Sequence, residues 1–181
     1  MTIAAATVLL VLFSLVAAVD GVLVHLVWLR LHARPGSWVE HVLHTASAVL
    51  FPPILVTVFL APTAGVTLWV GVALLVLLVA VEVLDVGSER ASRSDLGGVG
   101  RGELALHVVS VVTRTAATAL ALASRPAEAW RLDAPPVLGS HPAWVATVVG
   151  ALVPGAIAIA VVHLALAWRH RPAPAASVVT A

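Results

Sequence analysis

Five long apolar stretches, at about 3–31, 38–60, 66–86, 102–123 and 143–168, constrain this chain more than any other feature. Each reaches the roughly 20 residues needed to cross a hydrocarbon core. Such a core offers no water to unpaired backbone groups, so the stretches are expected to be helices. Their many valines suit strands, but the unbroken apolarity and the length favour helix, and no alternation of the kind a barrel needs is visible. The expected fold is all-α: a polytopic membrane protein in one domain, with five transmembrane helices. Two parallel helical hairpins would form a four-helix bundle, and a fifth helix would join it.

Composition removes the other classes. Of 181 residues, 61% are apolar and 10% charged, against roughly 25% charged in a soluble domain. A free soluble domain, a disordered chain and a coiled coil are excluded. There is no lysine; ten arginines are balanced by nine acids, so no phosphate-binding surface and no nucleic-acid partner are expected. The lack of cysteine excludes disulfides, thiol catalysis, iron–sulfur clusters and thiolate metal ligands.

Orientation follows from arginine. Arg30, Arg34, Arg90, Arg93, Arg101, Arg169 and Arg171 fall at the first link (32–37), the third link (87–101) and the tail (169–181), whereas Arg125 and Arg131 fall in the fourth link (124–142). The positive-inside rule then puts the amino terminus outside and the carboxyl terminus in the cytoplasm, in a plasma (inner) membrane. Trp28, Trp38 and Trp168 mark inner helix ends, Trp69 and Trp144 outer ends, and Trp130 the outer link, as an aromatic belt does. No basic residue precedes the first helix, which argues against a cleaved signal peptide even though Ala17-Ala18 imitates a cleavage site. Pro52-Pro53 and Pro154-Gly155 are expected to kink helices two and five.

Ionisable residues inside spans are costly and are functional candidates by default. Helix one carries Asp20 and His25, helix two Glu40, His41 and His44, and helix three Glu82 and Asp85 with Glu89 beyond. Helix four carries Glu103, His107 and Arg114, and helix five His163. With alternating helix direction, nearly all lie within about 15 Å of the inner helix ends. Glu40 and His44 share a face, as do Glu103 and His107, and Arg114 continues the latter stripe seven residues on. The pattern also repeats at an offset of 62–63 residues: Asp20 with Glu82, Glu40 with Glu103, His44 with His107. Parallel repeats of this kind can pair about the membrane normal.

Asp20, Glu40, His44, Glu82, Glu103 and His107 are therefore expected metal ligands. In composition the set resembles that of water-soluble di-iron bundles, which take a Glu from each of two helices and a Glu-x-x-His from each of two others. It departs from them in its four-residue spacing and in having Asp at one position; the likeness is one of ligand arrangement only. Carboxylates and imidazoles suit iron, manganese or zinc, one ion or two. His25, His41, Asp85, Glu89 and His163 would hold or supplement these ligands. Arg114 would pair with Asp20 or bind an anionic group of a substrate. A plainer reading competes: Glu40 and Glu103 open helices, where an acid complements the dipole, and several of these groups lie close enough to the interface to be hydrated.

The function expected is that of a membrane metalloprotein near the cytoplasmic leaflet, an oxidoreductase acting on a lipid or quinone-like substrate drawn from the bilayer. The alternatives are a proton or metal-ion transporter using the same cluster, and a b-type haem protein with His44 and His107 as axial ligands. The Gly97–Gly102 run in the third link lacks the lysine of a phosphate loop and follows no strand; it reads as a flexible link or a lid.

Overall fold

A computed structural model describes residues 1–172; the part of the expected tail at 173–181 lies outside the described residues. Five helices are long and apolar enough to cross a membrane. Helix α1 covers Thr2–Ala18 and widens into a π-helix over Val19–Trp28. Helix α2 covers Trp38–Ile54 and widens likewise over Leu55–Leu60. Helices α3 (Gly65–Ser92), α4 (Arg101–Ala123) and α5 (Ala143–Arg169) complete the set.

The wide end of α2 begins just after Pro52 and Pro53. Neither proline has an N–H for the helical ladder, so the next turns reorganise; Thr57 uses its hydroxyl to bond the Pro53 carbonyl at 2.7 Å. Helix α3 runs past Val86 to Ser92, so the third link is shorter than expected. Glu82, Asp85, Glu89 and Ser92 recur every three or four residues, which keeps one polar face in helical register where mean apolarity fades.

Helix α1 packs along α4, α2 along α3, and α5 against α2. The core joins Leu10, Ile54, Leu55, Val58, Phe59, Leu78, Ala117, Ala121 and Val149. The outer faces carry bare valine and leucine: Val8, Leu15, Val76, Val83 and Val161 are each more than half exposed. Soluble proteins rarely show such continuous apolar surface.

One end of this helical body collects the links around 29–37 and 93–100 and the end of α5; it is called the polar end below. The opposite end is closed by residues 124–142, which dock on the α2–α3 turn. Ala64 N–H bonds to Pro136 O at 3.0 Å and Leu138 N–H to Pro62 O at 2.9 Å, while Trp69 Nε1 donates to Trp130 O at 3.0 Å. Arg125 reaches the Val58 and Ala61 carbonyls at 2.6 and 3.0 Å, partners for acceptors that a helix end leaves open.

Candidate metal centre

At the polar end, α1 to α4 each send ionisable side chains inward, and the site is best built helix by helix. On α1, Asp20 and His25 are five residues apart. An ordinary α-helix would turn them about 140° from each other. The π-helical stretch closes its turns between residues five apart, as Leu29 N–H to Val24 O shows at 2.8 Å, and so lays one above the other. His25 Nε2 lies 3.6 Å from Asp20 Oδ1. Wide turns of this kind are frequent at functional sites.

On α4, Glu103 accepts a hydrogen bond from His25 Nε2 at 2.9 Å. One turn on, His107 places Nε2 3.2 Å from Asp20 and Nδ1 3.3 Å from Glu89 of α3. On α2, His44 Nε2 lies 3.2 Å from Asp85 of α3 and 3.8 Å from Glu40. The His25 ring stands 4.4 Å from that of His44 and 5.6 Å from that of His107.

Arg93 lies just past the end of α3 and is fully buried. Its guanidinium donates to Glu40 at 2.6 Å and to Glu103 at 2.5 Å, so one cation ties the openings of α2 and α4. Ser92 donates to the same Glu40 carboxylate, and Ser37 donates to the Ser92 carbonyl at 2.8 Å.

Two groups of atoms have the spacing a metal ion needs: Asp20, His25 and His107, and His25, Glu40 and His44, each with its ligand atoms within 4.8 Å of one another. His25 belongs to both; its Nε2 donates to Glu103, so both ring nitrogens could ligate only once that bond is given up. Asp20 Oδ1, His25 Nδ1 and Asp85 Oδ1 are buried and find no hydrogen-bond partner, while His44 Nε2 and His107 Nε2 have only the carboxylates of Asp85 and Asp20 at 3.2 Å. Buried polar atoms are normally satisfied, so the three unpaired atoms are open to a ligand.

Of the six expected ligands, the two groups contain Asp20, Glu40, His44 and His107; Glu103 sits beside His25. Glu82 does not join them. It pairs with Arg114, one rung further along the α3–α4 pairing that Glu89 and His107 begin; each partner is seven residues, two turns, from its counterpart. Arg114 therefore has Glu82, not Asp20, as its counter-charge, and the residue that mirrors Asp20 is Asp85. Asp20 faces His107 and Asp85 faces His44, each at 3.2 Å.

His41 and His163 stack with ring centroids 5.3 Å apart. His32 stands 5.8 Å from His41 and 4.9 Å from His170. Four imidazoles thus lead from the interior to the end of α5. His32, His170 and Arg93 were not among the expected site residues. Arg93 had a signal: five acids gathered at one depth need a cation among them, and Arg93, four residues beyond Glu89, continues the acidic face of α3.

No protein-family model, no curated protein and no solved structure matches the chain.

Proposed function

We propose that this is an integral membrane protein whose five helices span the bilayer. In this reading α1–α4 form the bundle, the polar end faces the cytoplasm, and a carboxylate–imidazole centre there holds iron, manganese or zinc. Its work is that of an oxidoreductase on a lipid-soluble substrate. The observation that carries the reading is the pair of three-residue groups around His25, each with two imidazoles and one carboxylate within 4.8 Å. Two histidines and one carboxylate with open positions suit redox-active iron.

Charge supports it. Asp20, Glu40 and Glu103 are buried and Asp85 and Glu89 half-buried around one guanidinium, that of Arg93. Buried like charges must be offset by protons or cations, and two divalent ions would carry the balance. Such ions would supply electron transfer or Lewis acidity; Arg93 holds Glu40 and Glu103 in place, and Asp85 and Glu89 hold the rings of His44 and His107.

The imidazole series His170–His32–His41–His163 favours a second reading, in which the same cluster passes protons, a known use of histidine. A haem between His44 and His107 is less well supported, because the His25 ring lies against both.

Metal analysis of the full chain, purified after growth with iron, manganese and zinc, tests the first reading. About two ions per chain are expected, falling to none or one in the double variant His44→Ala/His107→Ala. Unchanged stoichiometry in that variant would reject the ligand set. Absence of metal together with proton uptake by vesicles would favour the second reading.

A further inference from the structure

A cavity of about 350 Å³ begins at His44 and runs away from the polar end between α1, α2 and α5. Small residues make the space: Ala17, Ala18 and Gly21 on α1 face Ala151, Gly155 and Ala156 on α5. A Cβ added at Gly21 or at Gly155 would meet nothing within 4 Å. These two helices meet only lightly beside the cavity.

Its walls are apolar except for Ser14, Ser47 and a corner formed by His44, His163 and the Glu82–Arg114 pair. The ion pair neutralises itself, so the corner presents no net charge to an occupant. His163 Nδ1 has no hydrogen-bond partner, and His163 is only 3% exposed. A buried imidazole nitrogen left unpaired costs free energy that a ligand atom can recover. Phe13 and Phe51, edge to face at 5.4 Å, flank the space, and aromatic pairs of this kind favour a planar ring beside them.

From these features we infer that the cavity is a binding site for a quinone. Its uncharged ring would lie beside His163, with one carbonyl oxygen accepting a hydrogen bond from the His163 imidazole N–H, and its single tail would leave between α1 and α5. The volume is at the small end of ligand pockets: it takes a substituted ring with the first part of a tail, not a two-chain lipid. A fatty acid would bring a carboxylate to a corner with no free cation. The inference rests on the membrane reading above and names the substrate class of the same site, since His44 borders both the cavity and the candidate metal ligands.

The test is equilibrium binding of a decyl-substituted benzoquinone to the full chain in detergent, with palmitate as the charged competitor and metal content read on the same samples. Saturable binding at about one quinone per chain is expected, with palmitate a poor competitor. Gly155→Phe and, from the opposite wall, Gly21→Leu should each weaken it at least tenfold while helix content and metal content stay unchanged. No saturable binding by the wild type, stronger binding of palmitate, or full binding by both folded variants overturns the proposal. Metal without quinone binding removes the pocket alone; quinone binding without metal removes the metal centre alone.

Discussion

The two ends of the helical body are held by different chemistry. At the polar end, side chains tie the helices: Arg93 spans Glu40 and Glu103, and imidazoles stand against carboxylates from neighbouring helices. At the opposite end the ties run through the backbone, with the 124–142 segment bonded to the α2–α3 turn and Arg125 set on main-chain carbonyls. The atoms left over differ accordingly. At the polar end they are chiefly ring nitrogens and carboxylate oxygens, which can ligate; at the closed end they are the Arg125 Nε and Nη1 donors, which cannot, and His141 Nε2. One end is closed by structure, and the other is built so that something else can complete it.

The strongest way to break this contrast is to remove its central cation. Arg93→Leu leaves the buried Glu40 and Glu103 without their cation, with only Ser92 and His25 as hydrogen-bond donors, a change that costs about 3–5 kcal/mol. Chemical unfolding in detergent should show that loss, and a loss below that of any closed-end substitution would sink the comparison.

A smaller effect is expected at Gly65, where φ is +57° and an added Cβ would come 2.3 Å from the Ala134 carbonyl oxygen. The left-handed backbone alone costs a side chain about 1–2 kcal/mol, and the clash adds to it. Gly97→Ala, also left-handed at φ +79° but with open space around it, supplies the control. Equal losses for Gly65→Ala and Gly97→Ala would mean that the docked segment is not tightly held.

The smallest effect concerns His141, in the 124–142 segment. Burial and then the nearby Arg125 charge lower its pKa from the usual 6.5. The folded state therefore prefers the neutral ring. The contribution to stability is full above pH 6.5 and declines as pH falls below it, because the unfolded chain takes up the proton first. His141→Gln should flatten this part of the pH–stability curve, and an unchanged curve would remove His141 from the account.

Most helix limits were legible in the sequence, because unbroken apolar length marks α2, α4 and α5 almost to the residue. The α3 boundary was not: its last six residues are held by the Glu82–Ser92 polar face, which a measure of mean apolarity misses. Within the site, Glu40 with His44 and Glu103 with His107 were readable because four residues make about one turn. Asp20 with His25 was not readable as a facing pair, because that depends on the π-helical stretch. The match of Asp20 with Glu82 followed from counting residues, but Asp85 occupies the mirrored place, since the α3–α4 rungs give Glu82 to Arg114. Arg93 was read as one more interfacial arginine; only the fold shows it turned inward.

The wide stretch in α1 has a consequence for how the chain tolerates change in length. In an ordinary helix the loss of one residue rotates everything beyond it by about 100°. Between Asp20 and His25 the helix already holds one residue more than the facing pairs on α2 and α4 require. A chain shortened there by one, at Leu23 for instance, can close into regular turns with acid and imidazole still side by side. This interval is the molecule's slack, the one place near its chemistry where a deletion is expected to be gentler than a substitution.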